Sequence, residues 1–317
     1  MNNYTINDIE SLSFKDGVRK RIAMYLGSAD MQGVYNAIQE IISNSVDEYY
    51  MGYGNRIEVG LGPNNMVVIT DKGRGVPFGI REDGSNVLVD IFSKAHTGGK
   101  FNDKVYNSVA GLNGIGAKAT CLSSFKFNVS VVREGRHAIA SWEKGELISY
   151  KEEDWNNKEA HGTSIQFAPD PEVFNVEPID IKFEELCKRC KNLSYLTKGL
   201  TFSLANSVTS EQIEYCAENG LIDLIKDNVS NPVHQTPIYF EMEDGEEHIE
   251  VALQWTHGKE RGFTFTNGLY HSEGGTSQTG LKTAITNFMK KQIKSGMDGD
   301  MARTGLVYAV SLSLIHI

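Results

Sequence analysis

Residues 35–49 read Tyr-Asn-Ala-Ile-Gln-Glu-Ile-Ile-Ser-Asn-Ser-Val-Asp-Glu-Tyr and form the most strongly periodic stretch of the chain. Apolar side chains recur there every three or four positions, which is the spacing of one face of an α-helix. They are Tyr35, Ile38, Ile42, Val46 and Tyr49. The polar residues Glu40, Asn44, Asp47 and Glu48 are expected on the opposite face. The stretch therefore predicts one amphipathic helix.

The polar face of this helix has two interpretations. It can simply be solvated, as on most amphipathic helices. Alternatively, Glu40 supplies a carboxylate that can take a proton from water. One turn later, Asn44 supplies a neutral oxygen that can hold Mg²⁺.

A second constellation follows at residues 67–77, Val-Val-Ile-Thr-Asp-Lys-Gly-Arg-Gly-Val-Pro. A strand runs into Asp71, and Gly73 and Gly75 flank an arginine. A carboxylate at a strand end can accept a hydrogen bond from an adenine amino group, and the glycines let a flat ring approach the backbone. The alternative interpretation is an ordinary tight turn.

Residues 111–118, Gly-Leu-Asn-Gly-Ile-Gly-Ala-Lys, can offer a row of backbone N–H groups to phosphates, with Lys118 close by. A Walker A loop is excluded because Ala117 separates the last glycine from the lysine. Residues 114–119 match the dinucleotide fingerprint G-x-G-x-x-A, but that fingerprint must follow a strand in a βαβ unit. Here residues 108–111, Ser-Val-Ala-Gly, precede the fingerprint, and antiparallel strands are expected after it. The context therefore does not favour a dinucleotide site.

Length and composition set the outer limits. The chain has 317 residues, 40% of them hydrophobic, and a formal net charge of −10, which predicts a globular protein of two domains without a wholly basic surface.

Cys187 and Cys190 have a C-x-x-C spacing within a helical pattern, but no second pair completes a zinc site, so we expect free thiols. No signal peptide and no membrane-length apolar run are present, so we expect a cytoplasmic protein with no membrane partner.

Periodicity and turn residues predict helices and antiparallel strands in an α+β class, with a domain boundary near residue 210. The long glycine-punctuated segment 71–116 is expected to be a functional loop. The predicted helices cover residues 31–51, 183–193, 211–228 and 278–295. The predicted strands lie at residues 57–61, 66–70, 125–133, 137–142, 146–151, 163–167, 200–204, 236–256, 262–267 and 305–314.

Taken together, the motifs resemble the GHKL ATPases, whose nucleotide site is the Bergerat fold, and within them the ATPase subunits of bacterial and phage type IIA DNA topoisomerases. The similar motifs are Val18–Ser28, Glu40-x-x-x-Asn44-x-x-Asp47-Glu48, Asp71–Pro77, His96–Phe101, the lid at 111–116, His161-Gly162-Thr163, Phe265–Asn267 and Ser272–Thr276. The resemblance implies an α/β-sandwich ATPase domain with an N-terminal dimerisation arm over residues 1–210. It also implies a truncated transducer domain, of the ribosomal protein S5 domain 2-like type, over residues 211–317.

The same resemblance implies roles for single residues. Glu40 matches the general base that activates water, Asn44 the Mg²⁺ ligand, and Asp71 the adenine-recognising carboxylate, assisted by Thr163 through a bound water. Glu48 and Arg74 match a salt-bridged pair beside the adenine, and Arg133 matches an arginine at the mouth of the adenine pocket. Lys100 matches a catalytic lysine of the lid, and Tyr4 and Ile9 match the arm that wraps a partner subunit. The implied ATP-binding residues are Tyr4, Asn44, Asp47, Glu48, Asp71, Arg74, Gly75, Val76, Pro77, Gly99, Lys100, Gly111, Leu112, Asn113, Gly114, Ile115, Gly116, Arg133 and Thr163.

The function implied is an ATP-operated clamp: a type IIA topoisomerase part that dimerises on ATP binding, acts on DNA, and works with a DNA-cleaving A-type subunit. Gyrase and topoisomerase IV both stay open. Lys282, Lys290, Lys291 and Lys294 could line a DNA passage or form a solvated helix face. The alternatives are a GHKL ATPase of the mismatch-repair or chaperone type, or a nucleotide-binding module without efficient turnover.

The end of the chain carries two further expectations. Family members follow the last strand with a Gln-Thr-Lys loop, and no Gln-Thr-Lys occurs in this sequence, which predicts a chain that stops before that loop. The metal-binding and DNA-cleaving domains of the family are also not expected here. Residues 312–317 resemble a translated transposon-based sequencing adapter, and we expect them to be non-native.

Overall fold

The computed structural model describes residues 12–95, 97, 114–245, 247–271, 273–293 and 298–314. The described residues form two compact units, the first within Met1–Glu185 and Ser203–Ile213 and the second within Leu186–Phe202 and Glu214–Ile317. The mixture of helices with largely antiparallel sheets confirms the predicted α+β class. Among the helices of the described residues, none has the length and apolar character needed to cross a bilayer.

An eight-stranded sheet runs through the first unit. Its helices are α1 (Phe14–Lys20), α2 (Ala23–Leu26), α3 (Met31–Tyr50), α4 (Val87–Ser93), α5 (Gly116–Leu122) and α6 (Pro171–Phe174). Most of helix α7 (Phe183–Leu196) belongs to the second unit. Its strands are β1 (Arg56–Leu61), β2 (Val67–Asp71), β3 (Ser124–Arg133), β4 (Arg136–Glu143), β5 (Glu146–Asp154), β6 (Gly162–Pro169), β7 (Thr201–Asn206) and β8 (Glu211–Tyr215). The strand order is β5-β4-β3-β6-β2-β1-β7-β8.

Helix α3 begins at an aspartate cap and ends close to the predicted boundary. The Asp30 carboxylate accepts hydrogen bonds from the backbone N–H groups of Gln32 and Gly33, at 2.8 and 3.4 Å, which satisfies two of the free donors of the first turn. Four members of its apolar stripe, Tyr35, Ile38, Ile42 and Val46, are buried, and Tyr49 is half-buried. Asp47 on the polar face is also buried, with 1% of its surface exposed, so this face is not simply solvated.

The register of the sheet sets the position of the loops that follow its strands. Strands β1 and β2 form the predicted antiparallel pair, and β2 also pairs with β6, so that Asp71 lies opposite Thr163. An aromatic cluster holds the far end of the sheet. Phe127 packs against Phe92, Trp142 and Phe167 at centroid distances of 5.4 to 6.1 Å.

The second unit is a five-stranded sheet covered by a helix on each face. It contains α8 (Leu221–Asn228), α9 (Thr276–Gln292), α10 (Gly299–Arg303), β9 (Ile238–Asp244), β10 (Glu247–Trp255), β11 (Arg261–Thr266), β12 (Leu269–Tyr270) and β13 (Leu306–Leu314). The strand order is β12-β11-β13-β10-β9, with β11 and β13 parallel. Alternate residues of β13 enter two separate cores, Val307 and Ala309 with α8, and Tyr308 and Val310 with α9, which explains its continuous apolar run.

Two predicted elements need correction. Residues 211–228 were expected to be one helix, but residues 211–215 form strand β8 and the helix begins only at Leu221. All but the last residue of β8 are exposed, so no alternation of apolar residues marks it as a strand. Helix α4 lies inside the segment predicted to be a loop. Asn86 caps it by accepting a hydrogen bond from Val89 N–H at 3.1 Å, a signal that the sequence contained.

Candidate functional site

Asp71 ends strand β2 with its carboxylate held by two donors. Ser45 Oγ, on helix α3, donates to Oδ2 at 2.9 Å, and the backbone N–H of Gly73 donates to Oδ1 at 2.8 Å. Burial is the main cause that raises the pKa of Asp71. The neighbouring Glu48 charge raises it further, and the hydrogen bonds oppose both effects. The side chain is thus a desolvated carboxylate with a fixed orientation.

Glu48 and Arg74 form a closely coupled pair beside it. Arg74 donates to the Glu48 carboxylate through Nε at 3.0 Å, a terminal guanidinium nitrogen at 2.8 Å and its own backbone N–H at 2.9 Å. The guanidinium also lies 4.9 Å from the ring centroid of Tyr53. Three charge-assisted hydrogen bonds fix the chain where it leaves β2 and turns.

The two glycines of this turn are required by space. A Cβ on Gly73 would lie 2.7 and 2.8 Å from side-chain carbons of Glu48 and 2.9 Å from Asp71 Oδ1. Gly75 has a φ of 78°, and a Cβ there would lie 2.7 Å from the Val132 carbonyl oxygen. Only glycine lets the backbone approach both neighbours so closely.

Residues that precede or begin strand β6 complete the turn. The Thr163 hydroxyl accepts a hydrogen bond from the backbone N–H of Val76 at 3.2 Å, and His161 Nδ1 donates to the Gly73 carbonyl at 2.6 Å. Thr163 is buried. Residues that are about 90 positions apart in sequence therefore form one surface around Asp71.

Arg133 lies at the edge of a cleft next to this surface. It donates to the Gly75 carbonyl at 3.2 Å and to the Glu134 carboxylate at 2.9 Å. The cleft has a volume of about 270 Å³. It is lined by Tyr53, Arg74, Arg133, Glu134, Lys158, Ala160 and His161. Two of its cations are paired with carboxylates, Arg74 with Glu48 and Arg133 with Glu134, so the lining is polar and its charges are largely balanced.

Glu40 lies against the start of helix α5. A Cβ on Gly116 would overlap the Glu40 carboxylate, so the glycine is needed for the close approach. Helices α3 and α5 are also linked by Thr120, whose hydroxyl donates to the Ala37 carbonyl at 3.3 Å. A carboxamide oxygen is a ligand that Mg²⁺ accepts, and Asn44 carries one a single helical turn after Glu40. Asn44 is therefore the residue that could hold Mg²⁺ beside the Glu40 carboxylate.

Lys118 is almost completely buried, at 2% exposure, in helix α5. Its ammonium donates to the carbonyl oxygens of Thr97 and of Gly114, the latter at 2.9 Å. A buried charge is tolerated only with such partners. Lys118 therefore holds together the backbone on either side of residues 98–113.

Most of the described site residues fall into two groups. Asn44 and Asp47 lie on α3 between them, and Gly114 and Ile115 directly precede α5. The contacts above join Glu48, Asp71, Arg74, Gly75, Val76, Arg133 and Thr163 in one group, and Glu40 with Gly116 in another. Pro77 is exposed beyond the turn. The predicted residues Tyr4, Ile9, Gly99, Lys100, Gly111, Leu112 and Asn113 lie outside the described residues, as does Lys294.

Sequence reasoning missed Ser45 and Tyr53. Ser45 directly follows Asn44 in the periodic helix, yet a helical pattern cannot say which strand end the serine meets. Tyr53 lies in the short link between α3 and β1 and is exposed. The available sequence signal was an aromatic residue between two glycines, Gly52 and Gly54.

A further set of possible metal ligands lies in the second unit. Atoms of Glu241, His248 and Glu250 come within 4.8 Å of one another. Lys198 Nζ already lies 2.7 Å from Glu250 and 3.7 Å from Glu241. We therefore interpret this cluster as an ion-pair network.

Comparison with known proteins gives consistent results for sequence and structure. The family described as DNA gyrase B matches residues 220–314. The B-type subunit of topoisomerase 4 from Streptococcus pneumoniae is 33% identical over 98% of this chain and 50% of its own length. The B-type subunit of DNA gyrase from Archaeoglobus fulgidus is 32% identical over 98% of this chain and 51% of its own length. The chain thus spans about half the length of the curated relatives it matches.

The structural match covers nearly the same extent. The 43K ATPase domain of Thermus thermophilus gyrase B, solved in complex with an aminocoumarin, aligns with a TM-score of 0.80 and 26% identity. The alignment covers 95% of this chain and 81% of that one. It confirms the GHKL type of α+β fold that the motifs predicted. By sequence and by fold, the chain belongs to the family of type IIA DNA topoisomerase ATPase subunits, which comprises the B-type subunits of DNA gyrase and of topoisomerase IV.

Proposed function

We propose that this chain binds ATP with Mg²⁺ and hydrolyses it, as the ATPase-bearing part of a type IIA DNA topoisomerase. The observation that carries the proposal is the Asp71 carboxylate, desolvated at a strand end and held by Ser45 and Gly73. An ionised carboxylate in that setting accepts a hydrogen bond from the adenine 6-amino group. Residues 1–210 would handle the nucleotide, and residues 211–317 would form the transducer.

The turn around Asp71 is suited to a flat base. Gly73 and Gly75 keep the backbone free of side chains, and the Glu48–Arg74 pair fixes the turn beside the base. The Thr163 hydroxyl accepts a hydrogen bond from the backbone N–H of Val76, and Thr163 lies opposite Asp71, where it can support a water bridge to the base. Arg133 would lie at the mouth of this pocket.

Hydrolysis is assigned to Glu40 and its surroundings. The Glu40 carboxylate would take a proton from the water that attacks the γ-phosphate. Asn44 would hold Mg²⁺, which neutralises charge on the phosphate oxygens. Backbone N–H groups near Gly114–Gly116 would receive the phosphates, and Lys100 and residues 111–113 remain part of the proposal outside the described residues.

The proposed chemistry is tested by separating turnover from binding. We expect Glu40→Gln to reduce ATP turnover at least about 100-fold, since it removes the base, while affinity for a non-hydrolysable ATP analogue changes less than about threefold. Glu58→Gln, an exposed carboxylate on β1, is the matched control and is expected to retain the parent rate. Turnover by Glu40→Gln at the parent rate would overturn the assignment.

DNA, a second copy and a DNA-cleaving subunit are the proposed partners, in the cytoplasm where ATP and DNA meet. The gyrase and topoisomerase IV relatives support this over a mismatch-repair or chaperone role. The resemblance assigns the lysine of the Gln-Thr-Lys loop to a contact with the γ-phosphate. That tripeptide does not occur in the 317 residues, so we expect slow turnover for this chain alone. On α9, exposed Lys290 and Lys291 are the proposed DNA contacts, whereas Lys282 is already paired with Glu260 at 2.8 Å.

A further inference from the structure

The residue that holds Asp71 from the helix side is Ser45. Its hydroxyl lies 2.9 Å from Asp71 Oδ2, and the residue is buried, with 5% of its surface exposed. The same hydroxyl also makes a long contact, 3.5 Å to the Ile41 carbonyl oxygen in the preceding turn. The shorter contact, to a carboxylate, is the stronger of the two.

The two donors on Asp71 act on different oxygens. Gly73 N–H binds Oδ1 and Ser45 Oγ binds Oδ2, so together they prevent rotation of the carboxylate about its last side-chain bond. They also stabilise its ionised form against the cost of burial. Removing the serine hydroxyl leaves only the backbone N–H groups of Gly73 and Thr163 to stabilise the ionised carboxylate.

We propose that Ser45 is a positioning residue that holds Asp71 ionised and oriented, and thereby sets the preference of the site for adenine over guanine nucleotides. This inference rests on the proposed function, since it concerns the same pocket. It adds a residue that none of the motifs singled out and assigns it a role in base selection.

The chemistry of the two bases explains the preference. An ionised, fixed carboxylate accepts a hydrogen bond from the 6-amino group of adenine and repels the 6-oxo group of guanine. A protonated carboxyl group can instead donate to the 6-oxo group. Loss of the Ser45 hydroxyl should therefore weaken adenine binding more than guanine binding.

Other charged groups near Asp71 are expected to stay in place when Ser45 is changed. Glu48 comes from the same helix and is neutralised by Arg74 from the turn. His161, which precedes β6, donates to the Gly73 carbonyl. Because these contacts do not involve the serine, a change in the titration of Asp71 reports on Ser45.

The test compares Ser45→Ala, Ser45→Thr and Ser43→Ala with the parent chain. Isothermal titration uses non-hydrolysable ATP and GTP analogues with Mg²⁺ between pH 5 and 8, chosen to span the range above the ordinary pKa of aspartate. Carboxyl carbon NMR of the nucleotide-free protein follows the titration of Asp71 directly. Ser43 lies on the same helix and accepts a bond from Gln39 at 3.4 Å, so it is the matched control.

We expect Ser45→Ala to weaken ATP-analogue binding by about 10- to 150-fold, the value of one hydrogen bond to a charged group, and to reduce the ratio of ATP-analogue affinity to GTP-analogue affinity. On acidification, the affinity of Ser45→Ala for the ATP analogue should begin to fall at a higher pH than that of the parent. By NMR, Asp71 should also titrate at a higher pH in the variant than in the parent. Ser45→Thr keeps the hydroxyl and should restore all four properties, and Ser43→Ala should alter none.

Equal weakening toward both analogues, with an unchanged Asp71 titration, would mean that Ser45 only supports the fold and would overturn the inference. If the parent binds neither analogue, the proposed function fails and the base-selection role fails with it. The NMR titration still separates the two cases, because it measures the Ser45–Asp71 coupling with no nucleotide present.

Discussion

Arg74 clamps Glu48 from three directions, with two guanidinium nitrogens and its own backbone N–H all within 3.0 Å of the carboxylate oxygens. The pair joins the end of helix α3 to the turn after strand β2. Their side chains are 26% and 17% exposed, so water screens the interaction only partly. The position of the whole turn, including Asp71, depends on this link.

The strength of that link can be measured by a double-mutant cycle. We expect Glu48→Ala and Arg74→Ala each to lower the melting temperature, with a coupling free energy of about 1–3 kcal/mol from chemical denaturation. The same cycle on the exposed pair Lys144 and Glu172 should give less than about 1 kcal/mol. Equal coupling in both cycles would contradict a structural role for the first pair.

Asp71 should be unfavourable for stability while it serves binding. Its pKa is raised in the folded state, chiefly by burial, so its charge is penalised above the ordinary aspartate range and the penalty disappears on acidification. Asp71→Asn should therefore melt at an equal or higher temperature than the parent at pH 7. The difference should vanish as the pH falls toward 4, where aspartate is ordinarily protonated in part. If Asp71→Asn melted at a lower temperature than the parent at pH 7, but not at pH 4, the burial argument would be contradicted.

Two glycine substitutions should have opposite effects. Gly73→Ala places a methyl group within 2.9 Å of both Glu48 and Asp71, and we expect it to destabilise the first unit by about 1–3 kcal/mol and to weaken nucleotide binding. Gly280 lies inside α9 with open space around it. Gly280→Ala should raise stability by about 0.5–1 kcal/mol, which thermal and urea unfolding can check.

The lysines of α9 should contribute unequally to DNA binding. Replacing Lys290 and Lys291 by alanine should weaken duplex binding and reduce the slope of log K against log salt by up to about 2. Lys282→Ala should leave the slope unchanged, because its ammonium is paired with Glu260. If the salt slope changed only with Lys282→Ala, the DNA contact would lie nearer the beginning of α9 than Lys290 and Lys291.

Local sequence signals predicted the elements that carry them strongly. Helix α3 has an aspartate cap and an apolar stripe, and the β1–β2 hairpin has alternating residues around a Gly-Pro turn, so both were predicted closely. Strand β8 has exposed residues and owes its existence to pairing at the sheet edge, which no local pattern reveals. The parallel pairing of β11 with β13 is likewise a tertiary property.

The site was predictable by motif, and the resemblance also implied the Glu48–Arg74 ion pair, but most of its other contacts were not predictable. Glu48, Asp71 and Arg74 were named from their motifs, whereas the Ser45–Asp71 hydrogen bond depends on how α3 crosses the end of β2. Two interpretations of the polar face of α3 stayed open in the sequence, and the burial of Asp47 argues against a merely solvated face. Lys118 similarly binds backbone carbonyls inside the fold.

Calorimetric titration of the parent chain and of Asp71→Asn with a non-hydrolysable ATP analogue and Mg²⁺ tests the central claim most directly. We predict saturable binding at one site per chain for the parent. For Asp71→Asn we predict affinity at least about 100-fold lower with the fold intact, because its amide would face the adenine amino group with a donor or a misplaced acceptor. Absence of binding heat above background for the parent, or equal affinity for both proteins, would contradict the account.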